Sequence, residues 1–255
     1  MILDKIVRHK RKEVAALKKF SFKSRALALG PKKRSFAAAL AGKKPVAVIA
    51  EIKRRSPSKG LLRKNFNAVK IAKAYAAGGA SAISVLTDIK FFGGCAADLQ
   101  EVRRAVKLPL LRKDFIIDEA QIYESRLLGA DAILLIAAIL SKRKMARFAR
   151  IAESLGLDVL FEVHTASELT KVRGLKPRLL GVNNRNLKTF EVDLGITAQF
   201  AKSSPKGSLL VSESGVKEHK DLLYLRGLGA RAVLVGESLM RQKDVKRALR
   251  KLIRG

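Results

Sequence analysis

Short apolar runs recur along the chain from residue 46 onward, and segments with helical patterns separate them. Each run is rich in Val, Ile, Leu and Ala, which predicts buried strands at 46–53, 82–88, 108–114, 132–138, 158–164, 179–184, 209–214 and 232–237. The intervening segments begin after capping residues and end near glycine, as 119–128 does after Asp118. This alternation predicts βαβ units with parallel strands and right-handed crossovers.

Eight strand–helix units within about 210 residues favour a closed α/β barrel over an open doubly wound sheet. We therefore predict a (β/α)8 TIM barrel that forms a single domain over 1–255. Residues 1–44 precede the barrel, and their apolar positions between Ile6 and Leu17 recur at helical spacing. A second short helix is predicted near 35–40, after a break at Gly30-Pro31. No Ser/Gly-rich linker follows, so we expect this N-terminal helical extension to pack on the barrel.

Polar and charged residues cluster where seven of the eight predicted strands end. The clusters are Glu51/Lys53, Thr87/Asp88, Lys113/Asp114, Glu162/His164, Asn183/Asn184/Arg185, Ser212/Glu213/Ser214 and Gly236/Glu237. In a barrel these ends meet at one mouth, the C-terminal face on which barrel active sites are built. An unpaired charge there would cost several kcal/mol, so opposite charges indicate mutual pairing and a ligand. The alternative is a purely structural layer of ion pairs.

The first predicted strand ends in a carboxylate and an ammonium. Glu51 and Lys53 lie two residues apart, a spacing that puts both side chains on one face of an extended strand. The next segment, 56–60, has the sequence Ser-Pro-Ser-Lys-Gly, which is small, polar and turn-forming. Such a loop can bring backbone amides close to an anion, so we expect an anionic ligand beside it.

The chain is strongly basic, with 53 Lys and Arg against 22 Asp and Glu and a net charge of +31. Charge of this size would suit nucleic acid or an acidic membrane, or equally a solvated basic surface. Trp is absent, Tyr number three, and no basic motif is interleaved with aromatic residues, so specific nucleic-acid binding is not favoured. The positive field would still attract a small anionic substrate.

Neither a cofactor nor membrane insertion is predicted. The single cysteine, Cys95, excludes an intramolecular disulfide, and no Cys/His cluster has metal-ligand spacing, so we expect no metal and no other cofactor. No apolar run approaches the roughly 20 residues of a membrane span, and the N-terminus lacks the apolar core of a signal peptide. A cytoplasmic location is therefore expected.

Seven motifs at the predicted strand ends occur in order along the chain. They are 50–53 (AEIK) with 56–60 (SPSKG), 86–88 (LTD) with 90–94 (KFFGG), 111–116 (LRKDFI), 161–164 (FEVH), 181–187 (GVNNRNL), 212–215 (SESG) and 236–240 (GESLM). In order and spacing, over residues 1–255, the chain resembles the indole-3-glycerol-phosphate synthases of tryptophan biosynthesis. The resemblance implies a carbon–carbon lyase on a (β/α)8 barrel with an N-terminal extension.

By that resemblance the substrate is 1-(2-carboxyphenylamino)-1-deoxyribulose 5-phosphate, and the product is indole-3-glycerol phosphate, formed with loss of carbon dioxide and water. Ring closure needs an acid at the ketone oxygen, and Lys113 resembles the general acid. Dehydration needs a base, and Glu162 resembles the carboxylate for it. Lys53 is expected to pair with the carboxylate that leaves. The catalytic set implied by the resemblance is Glu51, Lys53, Lys113, Glu162, Asn183 and Ser214.

Nine further residues are expected to bind the substrate: Ser56, Lys59, Phe92, Arg185, Glu213, Gly215, Gly236, Glu237 and Ser238. Barrels commonly bind phosphate after strands seven and eight, where glycines let the backbone come close. Ser56 and Lys59 would close over the phosphate, and Phe92 would contact the aromatic ring. We expect a monomer whose partner is this small anionic substrate.

Several assignments stay open at the level of sequence. Either Lys53 or Lys113 could donate each proton. His164 could face the site, although a structural role in a hydrogen bond is favoured. The chain could also be a sister phosphate-binding barrel, such as phosphoribosylanthranilate isomerase or the α subunit of tryptophan synthase, but the isomerase would need a cysteine where Glu51 and Lys53 stand. A charge-driven nucleic-acid binder is the non-enzymatic alternative.

Overall fold

A closed barrel of eight parallel strands forms the centre of the structure. The computed structural model of the chain describes residues 2–30, 34–42 and 46–255. The barrel strands are β1 (Ala47–Ile52), β2 (Ala82–Leu86), β3 (Leu110–Lys113), β4 (Ala132–Ile136), β5 (Asp158–Val163), β6 (Leu179–Asn183), β7 (Leu209–Glu213) and β8 (Ala232–Val235). Each strand pairs with the next, and β8 pairs with β1 to close the barrel. The eight strands and the TIM-barrel class predicted from the apolar runs are confirmed.

Helices form the outer layer, after three helices that precede β1. In the described residues they are α1 (Ile2–Leu17), α2 (Phe22–Ala28), α3 (Phe36–Leu40), α4 (Ala68–Gly78), α5 (Ile89–Phe92), α6 (Ala96–Ala105), α7 (Glu119–Leu128), α8 (Lys142–Ser154), α9 (Ala166–Arg173), α10 (Gly195–Ala201), α11 (His219–Gly227), α12 (Glu237–Met240) and α13 (Val245–Arg254). Side-chain caps start many of them, as Asn67 Oδ1 does for α4 by accepting a hydrogen bond from Lys70 N at 2.8 Å. Among these helices, none is both long and apolar enough to cross a lipid bilayer.

Alternate residues of each strand point into the barrel, and their character changes along the strand. The inner apolar layer includes one residue from each of four strands, namely Ile49, Leu111, Leu160 and Val211. Two residues further along the same strands lie four charged residues, Glu51, Lys113, Glu162 and Glu213. The strand register therefore collects these charged side chains at the C-terminal mouth of the barrel.

The N-terminal helices cover both ends of the barrel. Phe36 and Leu40 of α3 are buried against the apolar interior at the end where the strands begin. Asp158 Oδ2, at the start of β5, accepts hydrogen bonds from Ser35 Oγ at 3.0 Å and from Ala37 N at 2.9 Å, which hold α3 there. The first residues of α1 lie at the opposite end, in the wall of the mouth.

The structure adds one helix to the predicted extension. The sequence pattern predicts helices before residue 17 and near 35–40, and α2 lies between them. α2 has seven residues, no side-chain cap and one buried residue, Ala26, so it produces almost no periodic signal. The predicted break at Gly30-Pro31 falls partly on Pro31, which lies outside the described residues.

Candidate active site

The mouth of the barrel holds a cavity of about 930 Å³, which is large enough for a small-molecule substrate. All fifteen residues that the sequence suggests for catalysis or binding line this cavity: Glu51, Lys53, Ser56, Lys59, Phe92, Lys113, Glu162, Asn183, Arg185, Glu213, Ser214, Gly215, Gly236, Glu237 and Ser238. Their individual roles stay predictions. Barrel closure brings them together from positions spread over most of the chain.

Lys113, at the C-terminal end of β3, is the centre of a buried ion cluster. Its Nζ donates hydrogen bonds to Glu162 Oε2 at 2.8 Å and to Glu213 Oε2 at 2.6 Å. Burial by itself lowers the pKa of the ammonium, but attraction by Glu162, Glu213 and Glu51 outweighs burial and raises the pKa above its ordinary value. Lys113 is therefore protonated at neutral pH and can act as a proton donor.

Of the two glutamates that contact Lys113, Glu162 has more polar partners. Its second oxygen, Oε1, lies 3.3 Å from Asn183 Nδ2 and 3.3 Å from His164 Nε2. Burial favours the neutral carboxyl, but attraction by Lys113 and His164 lowers the pKa of Glu162 to about 2. Glu162 is therefore charged at neutral pH, and His164 lies in direct contact with it.

Glu213 has fewer partners and the opposite shift. Its Oε1 is buried and accepts no hydrogen bond from any described residue. Burial, together with repulsion from Glu162 and Glu51, outweighs the attraction of Lys113 and raises the pKa of Glu213 to about 7. The two carboxylates on one lysine thus differ: Glu162 is ionised at neutral pH, while Glu213 titrates close to neutral pH.

Two glycines make room for the buried carboxylates. A Cβ atom on Gly181 would collide with Glu213 Oε1, and a Cβ atom on Gly236 would collide with Glu51 Oε1. Gly181 lies on β6 next to β7, and Gly236 follows β8 next to β1, so each glycine faces a glutamate of the neighbouring strand. Gly181 is missing from the predicted site residues. The sequence does contain a signal for it: Gly181 is a glycine at an inward-facing strand position, and the next strand ends in a glutamate.

Glu51 and Lys53 form an ion pair on one face of β1. Lys53 Nζ donates to Glu51 Oε1 at 2.5 Å. The side chain of Glu51 is 4% exposed and that of Lys53 is 17% exposed, so the ammonium is the more accessible partner. A partly accessible ammonium at the mouth can bind the carboxylate of a ligand.

A turn after β7 contains strained backbone held by neighbouring amides. Ser214 has φ of +66°, the left-handed region that non-glycine residues rarely adopt, and Gly215 follows with φ of +99°. Ser214 Oγ donates to Asn183 Oδ1 at 2.9 Å, and Asn184 Nδ2 donates to the Ser214 carbonyl oxygen at 3.0 Å. The two asparagines after β6 therefore hold the turn in place at the edge of the cavity.

The side chains of Arg185 and Glu237, at the edge of the cavity, are held by hydrogen bonds and ion pairs with neighbouring groups. Arg185 Nη1 donates to the Phe190 carbonyl oxygen at 3.0 Å, and its Nη2 lies 3.4 Å from Glu237 Oε2. Arg241 Nε lies 3.5 Å from the other oxygen of Glu237. The Glu237 carboxylate is therefore occupied by two arginines.

One wall of the cavity is apolar. The rings of Phe92 and Phe115 lie 5.9 Å apart at an angle of 34°, and Leu134 and Ile136 of β4 line the cavity beside them. Leu134 and Ile136 are missing from the predicted site residues. The signal for them is the fourth predicted strand itself, which alone ends without a polar group and supplies apolar surface instead.

The loop after β1 forms a short hairpin over the rim, with Arg55–Ser56 paired to Gly60–Leu61. Ser56 Oγ is buried, lines the cavity and has no hydrogen-bond partner among the described residues. Lys59 lies at the rim and is exposed. A buried hydroxyl without a hydrogen-bond partner is uncommon, so we expect the Ser56 hydroxyl to form a hydrogen bond with a ligand.

The cavity is suited to proton transfer and anion binding. Its lining brings the ammonium groups of Lys53 and Lys113 beside the carboxylates of the strand ends, next to a strained turn with glycine and an apolar wall. Within residues 2–30, 34–42 and 46–255, no group of three or more His, Cys, Asp or Glu side chains could hold a metal ion.

The fold and this cavity define an enzyme of the TIM-barrel class. A sequence profile described as indole-3-glycerol phosphate synthase matches residues 3–252. The chain belongs to the indole-3-glycerol phosphate synthase family, whose members are carboxy-lyases of tryptophan biosynthesis.

Relatives match over nearly their whole length. The indole-3-glycerol phosphate synthase of Alkaliphilus metalliredigens is 45% identical, over 100% of this chain and 99% of the relative. The synthase of Albidiferax ferrireducens is 48% identical, over 98% of this chain and 97% of the relative. That of Chloroherpeton thalassium is 49% identical, over 93% of this chain and 94% of the relative. The similarity therefore covers both the extension and the barrel.

Solved structures with the same fold are more distant in sequence. Thiamine phosphate pyrophosphorylase from Pyrococcus furiosus has a TM-score of 0.62 and 15% identity, over 82% of this chain and 94% of its own. A mutant tryptophan synthase α-subunit from Pyrococcus furiosus has a TM-score of 0.63 and 14% identity, over 82% of this chain and 98% of its own. At such low identity the likeness shows the barrel fold alone.

Proposed function

We propose that the chain converts 1-(2-carboxyphenylamino)-1-deoxyribulose 5-phosphate to indole-3-glycerol phosphate with loss of carbon dioxide and water. The observation that most supports this reaction is the polarity of the cavity, because its two sides match the two ends of the substrate. The apolar wall from β2 to β4 suits an aromatic ring, and the glycine turns after β7 and β8 suit a phosphate. The lysine–glutamate cluster lies between the two sides, where bonds of the substrate change.

The phosphate binds, in this proposal, at the turns after β7 and β8. Gly215 and Gly236 allow close approach of the backbone, and the first amides of α12, near Ser238, have no acceptor within the helix. Ser56 Oγ, which is buried without a hydrogen-bond partner among the described residues, and the Lys59 ammonium add donors from the first loop.

The sugar-derived chain of the substrate lies between the phosphate and the aromatic ring. Asn183 and Ser214 are hydrogen-bonded to each other at 2.9 Å and offer an amide and a hydroxyl to the substrate hydroxyl groups. Arg185 contributes positive charge beside them, while its contact with Glu237 keeps that carboxylate away from the phosphate. These residues orient the ketone carbon toward Lys113.

Ring closure begins when the aromatic carbon that bears the carboxylate attacks the ketone carbon. The Lys113 ammonium donates a proton to the ketone oxygen, so a carbon–carbon bond forms as the oxygen becomes a hydroxyl. The bond to the carboxylate then breaks, its electron pair restores the aromatic ring, and carbon dioxide leaves. Lys53, the more accessible member of its ion pair with Glu51, binds the carboxylate until that step.

Dehydration follows, with Glu162 as the base that removes a proton from the ring carbon beside the nitrogen. The pKa of Glu162 is low because Lys113 is charged, and the proton that Lys113 gives up during ring closure weakens that attraction. Glu162 is therefore a stronger base at the step that needs one. The hydroxyl leaves as water with a proton from Lys53, because Lys113 has already given up its own, so each turnover donates two protons, recovers one and takes up one from solvent.

Glu213 completes the cluster as a proton store beside Lys113. Its Oε2 lies 2.6 Å from Lys113 Nζ, and its pKa of about 7 allows it to hold or release a proton at neutral pH. A proton on Glu213 can therefore restore the Lys113 ammonium after it has donated to the substrate.

Incubating the protein with the substrate and following the fluorescence of the indole product tests the proposal. We expect the wild-type chain to form product, and Lys113→Met and Glu162→Gln each to lose about 10²-fold or more in turnover. Lys107→Met is the matched control, because Lys107 is an exposed lysine outside the cavity. Absence of product from correctly folded wild-type protein contradicts the proposed function.

The proposed reaction involves a small anionic substrate and neither membrane nor nucleic acid, and we propose a monomer that acts in the cytoplasm. The net charge of +31 would draw the substrate, which carries a carboxylate and a phosphate, toward the mouth. Titration with RNA at several salt concentrations tests the charge-driven alternative, which predicts tight binding with a steep dependence on salt. Sedimentation of the purified chain tests the monomer.

A further inference from the structure

The first helix of the chain forms part of the wall of the active-site cavity. Ile2, Leu3 and Ile6 of α1 line the cavity, and Ile6 is 3% exposed. Lys10 follows Ile6 by one helical turn, so both side chains lie on the same face of α1 and point toward the barrel. A charged residue therefore occupies the buried face of this helix.

Lys10 has three carboxylate partners. Its side chain is 3% exposed, and its Nζ lies 2.9 Å from Asp114 Oδ1, 3.1 Å from Asp88 Oδ2 and 2.5 Å from Glu13 Oε2. Burial lowers the pKa of this ammonium, but attraction by Asp114 and Asp88 outweighs burial and raises the pKa. Glu13 belongs to α1 itself, whereas the two aspartates belong to the barrel, so Lys10 links the extension to the ends of β2 and β3.

Asp114 connects Lys10 to the proposed general acid. It follows Lys113 directly in the chain, and its Oδ2 accepts hydrogen bonds from Thr87 Oγ1 at 2.6 Å and from Arg112 Nη2 at 3.2 Å. Lys113 donates to Glu162 in the cavity, whereas the carboxylate of Asp114 is held by Lys10, Thr87 and Arg112. The contacts that hold Asp114 therefore also determine where the backbone of Lys113 lies.

Asp88 connects Lys10 to the apolar wall. Its Oδ1 accepts a hydrogen bond from Phe91 N at 2.7 Å and starts α5, the short helix that contains Phe92. Phe92 lines the cavity and lies next to Phe115, which follows Asp114. A shift of Asp88 would therefore move the aromatic wall relative to Lys113.

The two aspartates need a cation between them. Asp88 is fully buried and Asp114 is 3% exposed, so their charges would repel each other through a medium that screens poorly. Arg112 contacts Asp114 on its second oxygen, whereas the contact that the structure gives Asp88 Oδ2 is its ion pair with Lys10. The Lys10 ammonium lies within 3.1 Å of both carboxylates and neutralises the pair.

We propose that Lys10 is a positioning residue of the active site, which holds the ends of β2 and β3 together from α1 and thereby places Lys113 and Phe92 for the reaction. The inference rests on the proposed function, because it concerns the same general acid and the same aromatic wall. In this proposal α1 belongs to the active site, and the N-terminal extension contributes to turnover as well as to packing.

Replacing Lys10 by methionine tests this role, because the substitution removes the charge with little change in volume. Lys12→Met is the matched control, since Lys12 is an exposed lysine on the same helix. We expect kcat to fall about 10- to 100-fold in Lys10→Met, as displacement of a catalytic group by about 1 Å costs this much. KM should change less, and Lys12→Met should match wild type. A purely structural ion pair would lower the melting temperature and leave kcat unchanged in folded protein, and that result overturns the proposal.

Hydrogen exchange of the ligand-free proteins gives a readout that does not depend on activity. In Lys10→Met, amides in 88–92 and 113–116 should exchange faster than in wild type, while amides in 209–213 should not. A wild-type chain without synthase activity would refute the proposed function alone, and the exchange data would still decide the inference. Unchanged exchange beside both aspartates overturns it. If Lys10→Met fails to fold, Asp88→Asn takes its place, because it keeps an acceptor for Phe91 N but removes the ion pair of Asp88 with Lys10. Full kcat together with unchanged exchange in 88–92 in that folded variant also overturns the inference.

Discussion

The two glutamates on Lys113 should respond to the same substitution with opposite changes in stability. Glu162→Gln and Glu213→Gln are isosteric, and each keeps an oxygen that can accept from the Lys113 ammonium. Glu162 has Asn183 and His164 as further partners, whereas Glu213 Oε1 has no hydrogen-bond donor among the described residues. The pair therefore compares a well-compensated buried charge with a poorly compensated one on the same lysine.

The size of each effect follows from the pKa shifts. The folded-state pKa of Glu162 is about 2 against an ordinary 4.5, so its ionisation stabilises the fold above pH 4.5, and this contribution is lost as pH falls through 2. The folded-state pKa of Glu213 is about 7 against an ordinary 4.5. Its contribution to the stability of the fold is therefore fully present below pH 4.5 and is lost as pH rises through 7. At 1.36 kcal/mol per unit, each shift corresponds to about 3 kcal/mol at pH 8, with opposite sign.

Thermal unfolding between pH 4.5 and 8 measures both effects. At about 2 °C per kcal/mol for a chain of this size, Glu162→Gln should melt several degrees below wild type at pH 8, and Glu213→Gln several degrees above it. The gain in Glu213→Gln should disappear as pH is lowered to 4.5, while the loss in Glu162→Gln should persist there. Melting curves for Glu213→Gln that run parallel to those of wild type over this range would refute the account of the cluster.

Three further predictions follow from the cavity. Gly236→Ala should displace the Glu51 carboxylate and lower turnover about 10-fold or more, whereas Gly227→Ala, which meets no atom within 4 Å, should keep wild-type rates. Lys53→Met should raise KM about 10-fold or more in steady-state assays, because a hydrogen bond to a charged group of the substrate is lost. Raising the ionic strength from about 0.01 to 0.15 M should lower kcat/KM by screening the positive field, with kcat nearly constant.

The barrel is predictable from local pattern because each strand is a short apolar run, and seven of the eight runs end in polar residues. The same pattern assigns Lys113 and Glu162 to strand ends, and the period of two in a strand assigns Glu51 and Lys53 to one face. These features depend on neighbours within a few residues. Local sequence is therefore enough to locate the mouth and most of the side chains that line it.

Pairing across the mouth is not predictable in the same way. Lys113 contacts Glu213, which is 100 positions away in the chain, and this contact depends on how the barrel closes and on its register. The alternation of side chains along each strand shows that Lys113 and Glu213 both point inward. Several other carboxylates also point inward, so the sequence does not identify the partner of Lys113. The pKa difference between Glu162 and Glu213 arises from these long-range contacts and is absent from any local motif.

Lys10 is also missing from the sequence prediction, although the chain contains a signal for it. It lies one turn from Ile6 and one turn from Val14, on the apolar stripe of α1, where a charge would be costly without partners. Because α1 carries many exposed basic residues, Lys10 is hard to distinguish from them by sequence alone. A charged residue on the buried stripe of a helix is a better indication of a functional contact than the overall charge of that helix.

The end of β7 combines two features that reduce stability. Glu213 is a buried carboxyl whose charged form is disfavoured, and Ser214 has a left-handed φ, which costs a non-glycine residue about 1–3 kcal/mol. Glutamine and glycine at these positions would relieve both costs without changing the register of the strand. The chain instead keeps the strained pair and holds it with Asn183 and Asn184. Local instability maintained by surrounding hydrogen bonds is typical of groups that bind a ligand, and we therefore expect the end of β7 to contact the proposed substrate.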